Sequence, residues 1–276
     1  SINNNIRESV NNFMTDNAEP KAHFIISKID HFYSKTPALK GINLIINEGE
    51  KVAIVGPSGS GKTTLLSMLN ASLQPTQGQI IIQGKSSSQY TSKELKALRS
   101  KIALIPQNLA LVSSFKVWQN VITGNIGKYG FLELLKNLLA PAKKTLIDIH
   151  SILDRVGIEE KLFATTSNLS GGQRQRVAVA RSIFQSPSAI LADEPVSSVD
   201  PARARSLVEL LLKVADEEKT TLIMSLHNLE LAMEKFPRVV GMRNGSVQFD
   251  RSPDQISKEE LQELYQLEEK EILEDG

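Results

Sequence analysis

Cysteine is absent from the 276 residues, which excludes disulfides and thiolate metal sites and agrees with a reducing compartment. Neither sign of charge is in excess. The 32 Lys and Arg residues stand against 31 Asp and Glu, for a net charge of +1, so the chain carries no electrostatic footprint of a nucleic-acid partner. No apolar run approaches the roughly 20 residues that span a bilayer, and the Asn-rich start SINNNIRESVNNFMTDNAEP lacks the basic and apolar regions of a signal peptide. These absences place the chain in the cytosol as an expectation, with residues 1–21 poorly ordered. What is present is ordinary for a globular protein. At 41% hydrophobic and 23% charged, the chain is able to bury one large core, or a core and a smaller lobe.

The most specific stretch is GPSGSGKTT, comprising Gly56, Pro57, Ser58, Gly59, Ser60, Gly61, Lys62, Thr63 and Thr64. It follows the apolar run KVAIVG and precedes KTTLLSMLN, whose leucines have helical spacing, so the glycines join a strand to a helix. Glycine reaches backbone angles closed to other residues, which turns successive N–H groups toward a phosphate at the positive end of the helix. In this pattern Lys62 reaches the β and γ phosphates and the Thr63 hydroxyl ligates Mg²⁺. A Gly/Ser surface turn is the bland alternative, and the complete pattern with both flanks disfavours it. The loop is expected to hold a nucleoside triphosphate.

Two further stretches carry charge chemistry. AILADEP, residues 189 to 195, is an apolar strand ending in two adjacent acids. Alternate strand residues face opposite ways, so Asp193 can serve the magnesium shell and Glu194 the attacking water. NLSGGQRQR, residues 168 to 176, places Ser170, Gly171 and Gly172 ahead of the helical run QRVAVARSIF. That is a second anion cradle at a helix N-terminus, or more plainly a Ser-capped helix. One chain would then carry two phosphate-binding ends.

Leu169 to Gln173 reads Leu-Ser-Gly-Gly-Gln, and with the phosphate loop before it and the acid pair after it the sequence resembles the ATP-binding subunits of ABC transporters. The resemblance runs from about Phe24 to Asp250. It implies an α/β P-loop NTPase fold, an ABC-type nucleotide-binding domain with a RecA-like core, a small antiparallel β subdomain and a helical signature subdomain at about 113–170. A domain at 22–250 would then be followed by a helical tail at 251–276, opened by a capping box from Ser257 to Glu260. The resemblance also implies roles that spacing does not supply. Gln107 contacts magnesium and water and senses a membrane partner. SSVD, ending in Asp200, crosses to the second subunit, with Ser198 and Val199 less usual at their positions. His227 touches the γ phosphate, and Tyr33 stacks on adenine with Phe32 as the competing choice. Gln173 belongs to the signature that faces the other copy's nucleotide.

The cofactors implied are ATP and Mg²⁺. The partners implied are a second copy of the chain, paired head to tail so that each nucleotide is held between one chain's loop and the other's Ser170, transmembrane permease subunits and, indirectly, a solute-binding protein, which puts the chain on the cytoplasmic face of the membrane. The apolar face at Phe115, Val117 and Trp118, with GFLELLKNLLA, is either the helical region's own core or part of a groove for the permease. Within the family, MSLHNLELAMEKFPRVVGMRNGSVQFD and ILADEPVSSVDP are similar to the phosphonate-importer branch, with phosphite or another phosphorus oxyanion left open. The alternatives are an ATPase of lipoprotein release or cell division, and a soluble ATP-switched module of DNA repair or translation. The latter usually carries two nucleotide domains or a long coiled-coil insertion, and neither is seen here.

Overall fold

The computed structural model describes residues 21–129, 131–196 and 200–265. Strands made almost wholly of apolar or small residues, with charge only at an end such as Lys51 or Asp193, belong at the centre of a sheet covered on both faces, and three of them sit there. These are β3 (Lys51–Val55), β7 (Ala189–Asp193) and β8 (Thr221–Leu226). With β6 (Ile102–Ile105), β9 (Arg238–Arg243) and β10 (Ser246–Arg251) they form a six-stranded sheet in the order β10-β9-β3-β8-β7-β6. All neighbours are parallel except the β10 edge.

A second sheet, wholly antiparallel, joins β1 (Ala22–Tyr33), β2 (Thr36–Asn47), β4 (Gln77–Ile82) and the short β5 (Lys85–Ser86) in the order β2-β1-β4-β5. Leu39, Ile42, Leu44 and Ile46 of β2 are buried while Lys40, Asn43 and Ile45 between them are exposed, the alternation of a sheet with one face in water. The strand β3 divides two cores by the same period of two. Val52 and Ile54 pack with the second sheet and with helix α1 (Lys62–Leu69), whereas Ala53 and Val55 face the other core.

Eight further helices follow. They are α2 (Ser92–Arg99), α3 (Val117–Ile122), α4 (Phe131–Leu139), α5 (Lys143–Arg155), α6 (Gly171–Phe184), α7 (Pro201–Glu217), α8 (Leu229–Lys235) and α9 (Lys258–Tyr265). The region read as helical supplies α3, α4 and α5, with a lone antiparallel bridge between Lys116 and Thr165. Val117 and Trp118 lie in the core under α6, which decides their two readings in favour of internal packing. Leu132, Leu135 and Leu139 of α4 are exposed. At the end of the described chain, the Ser257 hydroxyl accepts from Glu260 N–H and Glu260 accepts from Ser257 N–H. This capping box opens α9, which buries Leu264. The expectations for residues 1–20 and 266–276 fall outside the described residues.

The closing apolar stretch is a hairpin rather than one strand. Asn244 and Gly245 both have positive φ, 48° and 79°, the two-residue turn whose twist suits antiparallel strands. This turn braces the phosphate loop, since Gly245 N–H donates to the Ser60 carbonyl at 3.2 Å and Lys40 N–H donates to the Gly245 carbonyl at 2.8 Å. Gly56 closes the same contact from the other side. Its φ is 152°, and a Cβ there would lie 2.0 Å from the backbone oxygen of Met242, which no rotamer change relieves. Gly56→Ala is therefore expected to destabilise the fold by about 2 to 4 kcal/mol, measured as a fall in denaturant midpoint, and to abolish nucleotide binding.

A buried histidine ties the two sheets together. His23 on β1 is 1% exposed, its Nδ1 lies 2.9 Å from Thr221 Oγ1 of β8, and its Nε2 is 3.4 Å from Ser188 Oγ. Burial lowers its pKa below the usual 6.5, with Lys21 acting in the same direction and Glu48 opposing. The unfolded chain thus binds the proton more readily, so stability is complete above the unfolded pKa and declines as pH falls through it. Melting temperature is expected to drop between about pH 7.5 and 5.5, and His23→Gln to flatten that part of the drop.

Candidate nucleotide-binding site

The site begins at a helix end whose N-cap has no side chain. Gly61, at φ 99°, is that N-cap of α1 and supplies no side-chain hydrogen bond to the first turn. A helix N-terminus presents backbone donors and partial positive charge to a ligand. Ser60 Oγ is also buried without a hydrogen-bond partner. Lys62 is 4% exposed, and its Nζ donates to the carbonyls of Gly56 at 2.9 Å and Pro57 at 3.0 Å.

Opposite this end stands the tip of β7. Glu194 adopts a left-handed backbone, φ 47°, which is uncommon for a residue with a side chain. Its Oε1 lies 3.5 Å from Lys62 Nζ and its Oε2 lies 2.7 Å from His227 Nε2. One buried carboxylate therefore bridges the loop lysine and a histidine from the end of β8. The Asp193 Oδ1 accepts from Ser225 Oγ at 2.7 Å, and the same hydroxyl accepts from Glu194 N–H at 2.9 Å. Behind them, Gln175 of α6 donates to the Pro195 carbonyl at 2.8 Å.

A cavity of about 470 Å³ is lined by Ser58, Gly59, Ser60, Gly61, Lys62, Thr63 and Thr64 together with Tyr33, Gln107, Glu194 and His227. Of the two competing aromatics, Tyr33 lines it and is 53% exposed, while Phe32 is absent from the wall. Thr36, Pro37 and Ala38 complete the wall. Nothing in their side chains announces them, although their place directly after Tyr33 does. Ser225 is the other residue that sequence reading passed over, because a serine in an apolar strand has no motif.

The signature residues do not line this cavity. Ser170 caps α6, accepting from Gln173 N–H at 3.2 Å while Gln173 accepts from Ser170 N–H at 3.0 Å. With Gly172 and Arg203 they wall a separate hollow of about 220 Å³, and Gly171 at the first position of α6 has nothing within 4 Å of where its Cβ would be. Asp200 caps α7 through Arg203 N–H at 3.0 Å, and Ser197 to Val199 lie outside the described residues. The two ends are mechanically linked all the same. Arg181 of α6, its pKa lowered by burial, donates to the carbonyls of Leu109 at 2.7 Å and Ala110 at 2.8 Å, two left-handed residues just past Gln107.

The comparisons agree with this geometry. A family model described as ABC transporter matches residues 39–197. The chain is 44% identical over 230 residues to the phosphonates import ATP-binding protein PhnC 3 of Halalkalibacterium halodurans, covering 83% of this chain and 88% of that one. To PhnC 1 of Pseudomonas syringae pv. tomato it is 42% identical over 244 residues, covering 87% and 90%. Among solved structures it resembles cbiO1 from Clostridium perfringens, part of the ABC transporter complex cbiONQ, with TM-score 0.74, 28% identity and coverage of 92% and 99%. It also resembles the dimeric ATP-binding cassette MJ0796 in a post-hydrolysis state bound to ADP and Pi, with TM-score 0.70, 29% identity and coverage of 83% and 98%. Matched over more than half its length by that model, and over most of it by these relatives, the chain belongs to the ABC transporter family.

Proposed function

We propose that the chain is the ATP-hydrolysing subunit of a membrane importer for phosphonates or a closely related phosphorus oxyanion. The observation that carries the catalytic part is the Glu194 carboxylate, set between Lys62 and His227 at the mouth of the phosphate loop. Triphosphate oxygens offer Lys62 stronger partners than two neutral carbonyls, and its move to them would release Glu194 toward a water aligned with the γ phosphate. His227 holds the other carboxylate oxygen and touches the γ phosphate, while Tyr33 supports adenine.

Mg²⁺ would be held by the Thr63 hydroxyl, Asp193 and Gln107 together with phosphate oxygens, and would supply positive charge against the β and γ phosphates. The donor set suits it. Asp193 is 8% exposed, and among the described residues no group of three His, Cys, Asp or Glu stands ready as a metal cage, in keeping with an ion that depends on substrate oxygens for its shell. Ser170, Gly171, Gly172, Gln173 and Asp200 act on the nucleotide of a second copy, a reading supported by Ser170, Gly172 and Gln173, which wall a different hollow from the loop. ATP closes this head-to-tail pair and hydrolysis reopens it.

Among the described residues no helix is long and apolar enough to cross a membrane, so the transport path belongs to permease subunits, with this chain at the cytoplasmic face and a solute-binding protein acting through them. The permease contact is assigned to the cavity of about 980 Å³ between the sheet and the helical region, which Leu104, Ile126, Leu134 and Arg181 help to line. Phosphonate as cargo rests on the names of the relatives. No feature of the site favours the lipoprotein-release or soluble-module alternatives.

Glu194→Gln is expected to lower ATP turnover about 100-fold or more while leaving ATP binding intact, so the variant accumulates as an ATP-bound dimer by light scattering. Turnover near that of the unaltered chain would contradict the role of Glu194. Capture of this variant with ATP and Mg²⁺ from its native cells should bring a multi-span membrane subunit with it, and capture of ribosomal or DNA-repair factors instead would contradict the importer reading.

A further inference from the structure

The residue that holds the two acids in their different roles is a serine outside every motif. Ser225 is 0% exposed on β8, in register with Asp193 on β7. A hydroxyl has one proton and two lone pairs. Its proton goes to Asp193 Oδ1 at 2.7 Å, and a lone pair takes the Glu194 N–H at 2.9 Å. The direction of both bonds follows, because the aspartate oxygen can only accept and the peptide nitrogen can only donate. We propose that Ser225 is the positioning residue for the hydrolytic pair, fixing the Asp193 carboxylate for the metal and the Glu194 backbone for the water; the assignment rests on the ATPase reading above.

Two consequences make this more than packing. Glu194 sits at φ 47°, a region that costs a residue with a side chain about 1 to 2 kcal/mol. The Ser225 hydroxyl accepts the Glu194 N–H in that conformation. Without it the peptide is free to relax, and the side chain leaves the line between Lys62 and His227. On the other acid, tying Oδ1 leaves Oδ2 as the oxygen with a free face. The acid nearer the metal and the acid nearer the water are thus set by one oxygen atom, 32 residues downstream of Asp193.

The test is Ser225→Ala, which removes that single oxygen, run beside Glu194→Gln. Expected are a fall in kcat of about 10- to 100-fold and an affinity for Mg·ATP, read both as KM and with a fluorescent nucleotide, weakened about 10-fold. Affinity for the nucleotide in excess EDTA should stay the same, a separation that general loosening of the fold would not produce. If Ser225→Ala melts too low to assay, Ser225→Cys keeps the bulk and a weaker donor, and the same split is expected in milder form. Wild-type kcat and Mg·ATP affinity in Ser225→Ala, or equal losses with and without Mg²⁺, would overturn the proposal. Retained turnover in Glu194→Gln would instead strike the reading beneath it.

Discussion

A helix N-terminus capped by glycine governs this molecule. Gly61 brings no side chain to the first turn of α1, so that end offers its positive dipole and its backbone donors to an anion. The surrounding construction keeps that end both ordered and open. The β9–β10 turn holds the Ser60 carbonyl, the Met242 carbonyl presses against Gly56 so closely that only glycine fits, and β3 delivers the loop from the middle of a sheet buried on both faces. Rigidity of the sheet therefore becomes precision in the loop, which is what stabilising a transferring phosphoryl group requires.

The helix end at Ser170 is placed elsewhere and built differently. Ser170 and Gln173 satisfy the start of α6 by a reciprocal capping box, where Gly61 brings no side chain to α1. What joins the two ends is a chain of polar contacts through α6, with Gln175 reaching the Pro195 carbonyl next to the acid pair and Arg181 reaching the carbonyls just beyond Gln107. Gln175 and Arg181 thus tie α6 both to the acid pair and to the rim of the cavity of about 980 Å³. Under the proposed function that is the connection between nucleotide chemistry and a partner seated in that cavity.

The phosphate loop, the acid pair and the signature were legible because each joins a residue pattern to flanking apolar periodicity, and the flanks tell strand from helix. Central strands were equally plain from their unbroken apolar runs. Tyr33 and Phe32 were not separable, since on a strand edge the choice turns on which face the cavity occupies. Trp118 and the leucines of α4 were ambiguous for a related reason. Amphipathic spacing reports that a face is covered without reporting by what, and here Trp118 is covered by α6 while Leu132 and Leu139 stay open. Ser225 left no trace at all. Its role arises from pairing between β7 and β8, and pairing partners 32 residues apart have no local signature.

The proposed function requires a nucleotide site that one chain cannot complete. The direct measurement mixes two inactive variants, Lys62→Ala with a spoiled loop and Ser170→Arg with a spoiled signature, and follows ATP hydrolysis as they are combined. In a head-to-tail pair one of the two sites in a mixed dimer receives an intact loop from one chain and an intact signature from the other, so activity is predicted to return on mixing. If the mixture stays as inactive as its parts while each variant still forms dimers with the unaltered chain, the composite site is contradicted.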